Sequence, residues 1–384
     1  MLSLRFFTSR AMGACLAVLG LACAAGCDDD KSNKPPAGDA GVDASEDGDV
    51  IPMNDAEVLA CTALEGDYAP GATDDWDACI SDDGEYHKIM DTVSTEARIQ
   101  AFVDMADAIF TPSADPSATD FDDARDLYTT AEGLASRVGR RYDPHFPNPD
   151  DVDCGAADGP TLAANADYCV GPAILQPIIN DAFAAGQTED DGEPARVYGA
   201  RIEAAVLWFL YASLYKESLT CTTTAKDCDS SWAYVTGGGP VEKGGETGLG
   251  GYVRDLDDGA ADRIWNGALA VRCWRDLDAE ATATDTELRD AARDQFDRAT
   301  IDGVALIVAD RLNAAKAATG SERAYHVAFV KVLARALYRE MDEGDGGAQD
   351  DLEAALADDA PSDGDIDAAL AAIAGVFPTA CVLE

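Results

Sequence analysis

From residue 94 onward, apolar side chains recur every three or four positions. In Ser94–Phe110, Ile99, Phe102, Met105 or Ala106, and Ile109 form one helical stripe behind a Ser/Thr start, and Thr111-Pro112 stops it. Thr119–Tyr142 repeats the pattern through Phe121, Leu127, Ala131, Leu134 and Val138. Arg137, Arg140 and Arg141 gather at its end, where the helix dipole favours cations. The same spacing predicts helices over Pro172–Ala185, Glu193–Leu219, Asp255–Leu277, Thr284–Ala318, Ser321–Met341, Gln349–Ala357 and Asp365–Phe377. Glu193–Leu219 is the most apolar of them, and Thr284 with Glu287 has the spacing of a capping box. Alternating strand patterns are few, so the expected fold is all-α: a helical bundle or bundles, stapled by disulfides.

Arg201–Ser218 aligns with Ala324–Met341 at an offset of 123 residues. Ala205/Ala328, Leu210/Leu333, Leu214/Leu337, Tyr215/Tyr338 and Glu217/Glu340 are identical across it. The match suggests two related bundles, residues 55–236 and 252–384, each around a central apolar helix. Between them Gly237–Gly251 holds eight Gly in fifteen residues, the composition of a flexible loop or lid. No strand precedes it and no Lys-Ser/Thr follows it, so a phosphate cradle is not expected. Trp232 and Tyr234, just before it, read as aromatic anchors for that loop.

The N-terminal end follows different rules. Met1–Arg10 carries Arg5 and Arg10 without an acid, and Ala11–Ala25 is apolar or small. That is a signal peptide, residues 1–26, and too short for a membrane span of about 20 residues. Ala24-Ala25-Gly26-Cys27 resembles the bacterial lipobox, with Ala24 where Leu is usual. The resemblance implies a diacylglycerol and acyl chain on Cys27 and a lipid-anchored place in the cell envelope, at the outer membrane facing the periplasm or the cell surface. Cys23 is the rival acceptor. Residues 27–54 continue as a disordered acidic tether of Asp, Gly, Ala, Pro and Ser without aromatics. Asp43–Gly48 has the start of a calcium loop, but position twelve is Asn54 rather than Glu, so it reads as linker.

Cysteine parity supports Cys27. The body from residue 55 keeps Cys61, Cys79, Cys154, Cys169, Cys221, Cys228, Cys273 and Cys381, an even set for an oxidising compartment. Acylation of Cys23 instead would leave Cys27 as a ninth. Proximity along the chain suggests the pairs Cys61–Cys79, Cys154–Cys169, Cys221–Cys228 and Cys273–Cys381. No C-x-x-C supports a zinc ribbon.

The formal net charge is −45, and loss of Arg5 and Arg10 with the signal leaves 26 basic side chains against 73 acidic, or −47. Such a charge argues against nucleic acid or anionic lipid as a partner. Candidate chemistry is sparse. The three His are His87, His145 and His326, and no zinc-protease, serine-hydrolase or P-loop motif occurs. His145 lies in a loop with Asp143, Asp150, Asp151 and Asp153, a donor set for a divalent ion or simply a solvated acidic loop. His87, in an acidic stretch of its own, reads the same way.

An all-helical exported lipoprotein with two repeated segments, and with Trp232-Ala233-Tyr234 after its central helix, resembles the imelysin-like proteins. The resemblance would cover about residues 95–375. It implies a periplasmic or outer-membrane helical body with a role in uptake of iron or another metal. The family's Gly-x-His-x-x-Glu is absent, and its nearest equivalents are Gly199 to Glu203 and His326. Glu203 and His326 differ by the repeat offset, so the resemblance implies one metal ligand from each half, Glu203 and His326, meeting at the bundle interface. Three readings follow. The first is a lipoprotein whose non-enzymatic body binds a metal ion or small ligand for uptake. The second is a structural or interaction lipoprotein with no small ligand, and the third is a metal-dependent enzyme. The anchor is directly measurable: the N-terminal peptide of the mature chain, by mass spectrometry, should begin at Cys27 and carry diacylglycerol.

Overall fold

A computed structural model describes residues 64–377, apart from 72, 73, 92, 131, 132, 149, 150, 189–191, 239–241, 281 and 345. The signal segment, Cys27 and the tether lie outside the described residues. The fold is all-α, with no strand among the described residues. The helices are α1 (Ser94–Ile109), α2 (Ala118–Thr130), α3 (Leu134–Val138), α4 (Gly159–Ala164), α5 (Gln176–Thr188), α6 (Ala195–Thr220) and α7 (Lys226–Thr236). They continue as α8 (Leu249–Arg254), α9 (Asp258–Leu277), α10 (Thr286–Ala317), α11 (Gly320–Leu333), α12 (Tyr338–Gly344), α13 (Ala348–Ala355) and α14 (Asp363–Val376). A π turn (Gly171–Leu175) leads into α5, and 3-10 turns occupy Ile80–Asp83 and Ala334–Leu337.

Local chemistry explains where these helices depart from the periodicity. Thr119–Tyr142 does not run through: Gly133, at φ 75°, takes a left-handed conformation that separates α2 from α3. Asp257 caps the Ala260 N–H and so starts α9 three residues inside the expected span. Asp285, not Thr284, caps α10 through the Leu288 N–H, and Thr284 instead donates to Asp278. The Trp232–Tyr234 stretch is no loop but the buried face of α7. Cys221–Cys228 ties the end of α6 to the first turn of α7, and the Ser231 hydroxyl donates to the Leu214 carbonyl on α6.

α6 organises the core. It is long and apolar enough to cross a membrane by composition, yet its most apolar window is 94% buried inside the protein. A helix apolar on every side must be covered on every side. α5, α7 and α11 pack against it, α10 runs beside α9 and α11, and α14 packs on α10. Gly199 lets the end of α1 approach α6 closely, because a Cβ there would meet the Ile109 carbonyl at 2.2 Å. The two repeat segments therefore sit side by side, one in α6 and one across α11, its 3-10 turn and α12. The described residues from 64 onward belong to one compact unit, and one buried apolar cluster runs through both segments.

The glycine-rich segment is not a lid along its whole length. The Thr247 N–H donates to the Thr236 carbonyl, and Leu249 and Gly250 are buried at the start of α8. Residues 239–241 lie outside the described residues.

The described residues of 64–90 have little regular structure, and several of their backbone groups are satisfied by the helices beneath them. Gln295 on α10 both donates to the Tyr68 carbonyl and accepts from its N–H, at 3.0 and 2.8 Å. Trp265 donates to the Gly84 carbonyl and Arg272 to the His87 carbonyl. Fully buried Asp229 accepts from the Ile89 and Met90 N–H groups and from the Tyr86 hydroxyl.

One covalent bond fastens this strap, and it corrects the expected pairing. Cys79 is bonded to Cys273 on α9, 194 residues away, and so neither to Cys61 nor, on the other side, Cys273 to Cys381. The strap crosses α9 at this point, where the Ile80 N–H also donates to Asp276. Spatial register, not chain proximity, chose the partner. Cys154–Cys169 and Cys221–Cys228 are joined as their spacing suggests, and Cys61 and Cys381 lie outside the described residues. A closure this long removes about 5 kcal/mol of unfolded-chain entropy. Replacing Cys79 and Cys273 together by Ser is expected to lower unfolding stability by about 3–5 kcal/mol, read by denaturant titration, whereas the double Ser variant of Cys221 and Cys228 should lose less.

Candidate functional site

Two helices leave α geometry at one place. The π turn of Gly171–Leu175 and the 3-10 turn of Ala334–Leu337 both line a cavity of about 350 Å³, through Ile174 and through Arg335 and Ala336. Such interruptions inside helices are frequent at functional positions. α6 supplies Trp208 and Tyr211, and α12 supplies Tyr338, Arg339, Asp342 and Glu343. The loop from Asp143 to Pro147 supplies His145.

His145 is the best-held side chain of this site. Its imidazole stacks on Tyr215, centroids 3.7 Å apart, and more loosely on Tyr211. Nδ1 lies 2.6 Å from Asp143 and Nε2 lies 3.0 Å from Asp297 on α10. Burial by itself would lower its pKa, but the carboxylates of Asp297 and Asp143 outweigh that and raise it to about 9. Asp297 resists its own burial in return: His145 and Arg339 hold its pKa below the usual value, and the Tyr211 hydroxyl donates to it at 3.2 Å. His145 is therefore an imidazolium with both nitrogens engaged. In this state both ring nitrogens donate to carboxylates, Nδ1 to Asp143 and Nε2 to Asp297, and neither offers a lone pair. His87, by contrast, makes a surface pair with Asp83 at 2.8 Å.

Arg335 is in a different state. Its guanidinium lies over the indole of Trp208, 5.6 Å from the ring centroid. Among the described residues it makes neither a hydrogen bond nor an ion pair. Arg339, one turn on, meets Asp297 at 3.6 Å and Glu343 at 3.4 Å and is bonded to Glu340. A larger groove, about 590 Å³, runs between α13 and α14. Its walls are mostly Ala, with Asp351 and Asp365, and offer little to orient a ligand.

Glu203 lies on α6 and His326 on α11, which pack together, and the groups that bond Glu203 are others. The fully buried Glu203 carboxylate accepts from Arg311 at 3.0 Å, from the Tyr252 hydroxyl at 3.1 Å and from the Tyr325 hydroxyl. Burial raises its pKa, and these three donors counter the rise. The partner from α11 is thus Tyr325, one residue before His326. The His326 ring stands edge-on to Tyr325, and its buried Nδ1 has no hydrogen-bond partner. Burial, with Arg311 nearby, lowers the pKa of His326 to about 4. Glu203 is already neutralised by a fixed cation, and no group of three or more His, Cys, Asp or Glu suited to a metal ion occurs among the described residues.

Comparison with family models, with curated proteins and with solved structures finds no match to this chain. The residues of the cavity must be read on their own chemistry.

The two buried histidines give opposite pH responses. The pKa of His145 is raised from about 6.5 in the unfolded chain to about 9, so its contribution, on the order of 3 kcal/mol, is complete below pH 6.5 and is lost as pH rises through 9. The pKa of His326 is lowered to about 4, so its contribution is present above pH 6.5 and is lost as pH falls toward 4. Unfolding titrations of His145→Gln are expected to lack the wild-type decline between pH 6.5 and 9, while those of His326→Gln should lack a component of the acid-side decline.

Proposed function

We propose that this chain is an envelope lipoprotein, anchored at Cys27 and held off the membrane by residues 27–54, whose helical body captures a small ligand in the cavity between α6 and α12. The observation that carries the reading is Arg335. In a mature chain with 73 acidic and 26 basic side chains, an arginine at a cavity wall with no carboxylate partner among the described residues is held for something else. Trp208 holds it by a cation–π contact, at little cost in hydration, because a guanidinium is weakly hydrated. The locked His145–Asp297–Arg339 cluster makes another part of the cavity wall rigid, so binding would require little ordering of side chains.

The cavity's volume lies at the small end of the range for ligand sites. A metabolite or nutrient is the size it admits. Lipid anchoring would keep such a binder at the membrane, where a captured ligand can be passed on.

Ligand-observed NMR with a library of small polar and aromatic fragments, on the mature lipidated chain in detergent, tests this. Several fragments are expected to bind, and their binding should change the intrinsic fluorescence of the wild type but not of Trp208→Phe. If no fragment binds, or if binding is indifferent to Trp208, the cavity is not a ligand site and the structural or interaction role takes its place.

A further inference from the structure

We infer that the ligand of this cavity is a small zwitterion carrying a carboxylate and an ammonium group, an amino acid or a short peptide. The inference rests on the cavity being the binding site and names its chemistry. The charged groups lining the cavity fall into two sets. His145, Asp143 and Arg339 are mutually committed through Asp297, and Arg339 also takes Glu343. The second set is Arg335, Asp167 and Asp342, whose side chains have no hydrogen bond or ion pair among the described residues.

One free cation and two free carboxylates around one cavity call for a ligand with both signs of charge. A guanidinium resting over an indole keeps its N–H groups available as a fork for a carboxylate. Asp167 and Asp342 are exposed and offer oxygens to an ammonium, and the rings of Trp208 and Tyr338 add their π faces to the attraction. A simple anion would satisfy Arg335 but face two uncompensated carboxylates. A simple cation would leave Arg335 without a partner. The zwitterion answers both, and a hydrophobic side chain has Ile174 and Phe146 beside it.

The experiment is a calorimetric titration of the mature lipidated chain, in detergent, with the proteinogenic amino acids and a set of dipeptides. The tightest binder is then compared with its N-acetyl and its carboxamide derivatives. The parent is expected to bind, and each derivative at least tenfold more weakly. Arg335→Gln should weaken the parent at least tenfold and leave the carboxamide nearly unchanged. Asp167→Asn with Asp342→Asn should weaken the parent and leave the N-acetyl derivative nearly unchanged. Circular dichroism melts of both variants that match the wild type separate loss of the site from loss of the fold. An N-acetyl derivative that binds as tightly as its parent overturns the inference in favour of an anion site. The inference also falls if no amino acid or dipeptide binds while other fragments still perturb Trp208. If nothing of any class binds, the ligand-binding reading falls with it.

Discussion

An α-helix that is apolar around its whole circumference has no face to give to water. α6 is such a helix, and the rest of the body is arranged to enclose it. α5, α7 and α11 cover it directly, and α9, α10 and the strap of residues 64–90 close the outer layer. The same burial sets the terms for the one acid in the middle of α6. Glu203 cannot be solvated, so α10 supplies Arg311 and α8 and α11 supply tyrosine hydroxyls. Removing any of these leaves a carboxylate short of partners in a dry interior, so the cluster fastens four helices together.

Scarcity of cations is the second constraint. With so few basic side chains against so many acids, most described arginines are drawn into ion pairs or carbonyl contacts: Arg254 with Glu246 and Asp262, Arg263 with Asp302, Arg298 with Asp67. The imidazolium of His145 joins that economy as a buried cation between two aspartates. Against this background Arg335 stands out by its lack of a partner, and its place beside two interrupted helices is what turns that lack into a functional reading.

The apolar periodicity made α1, α5, α6, α9, α10 and α14 legible to within a few residues, because each carries its stripe within a short window. α7 was not legible. Its first half, Lys226 to Ser231, is polar, and its buried positions become apparent only once α6 and the strap lie against it. The cavity was half visible: His145 and its acidic loop attract notice in the sequence, but Trp208 and Arg335 read as one more core aromatic and one more helical arginine. The repeat offset pointed from Glu203 to His326, and the side chain that reaches Glu203 is Tyr325. Neighbouring helical residues project about 100° apart, so an error of one in the register selects a different face.

By itself the sequence determined what short-range physics controls: helical class, most helix spans, two short disulfides, the signal-like N-terminus and the large acidic charge. The tertiary structure decided what depends on distant segments meeting. It paired Cys79 with Cys273, gave Glu203 to Arg311 and Tyr325, ionised His145 between Asp143 and Asp297, and left Arg335 on Trp208 at a cavity wall. Helix propensity and periodicity act over a few residues, so they can be read along the chain. Charge pairing, disulfide choice and cavity shape act through space, and the enclosure of α6 is what brings those residues together.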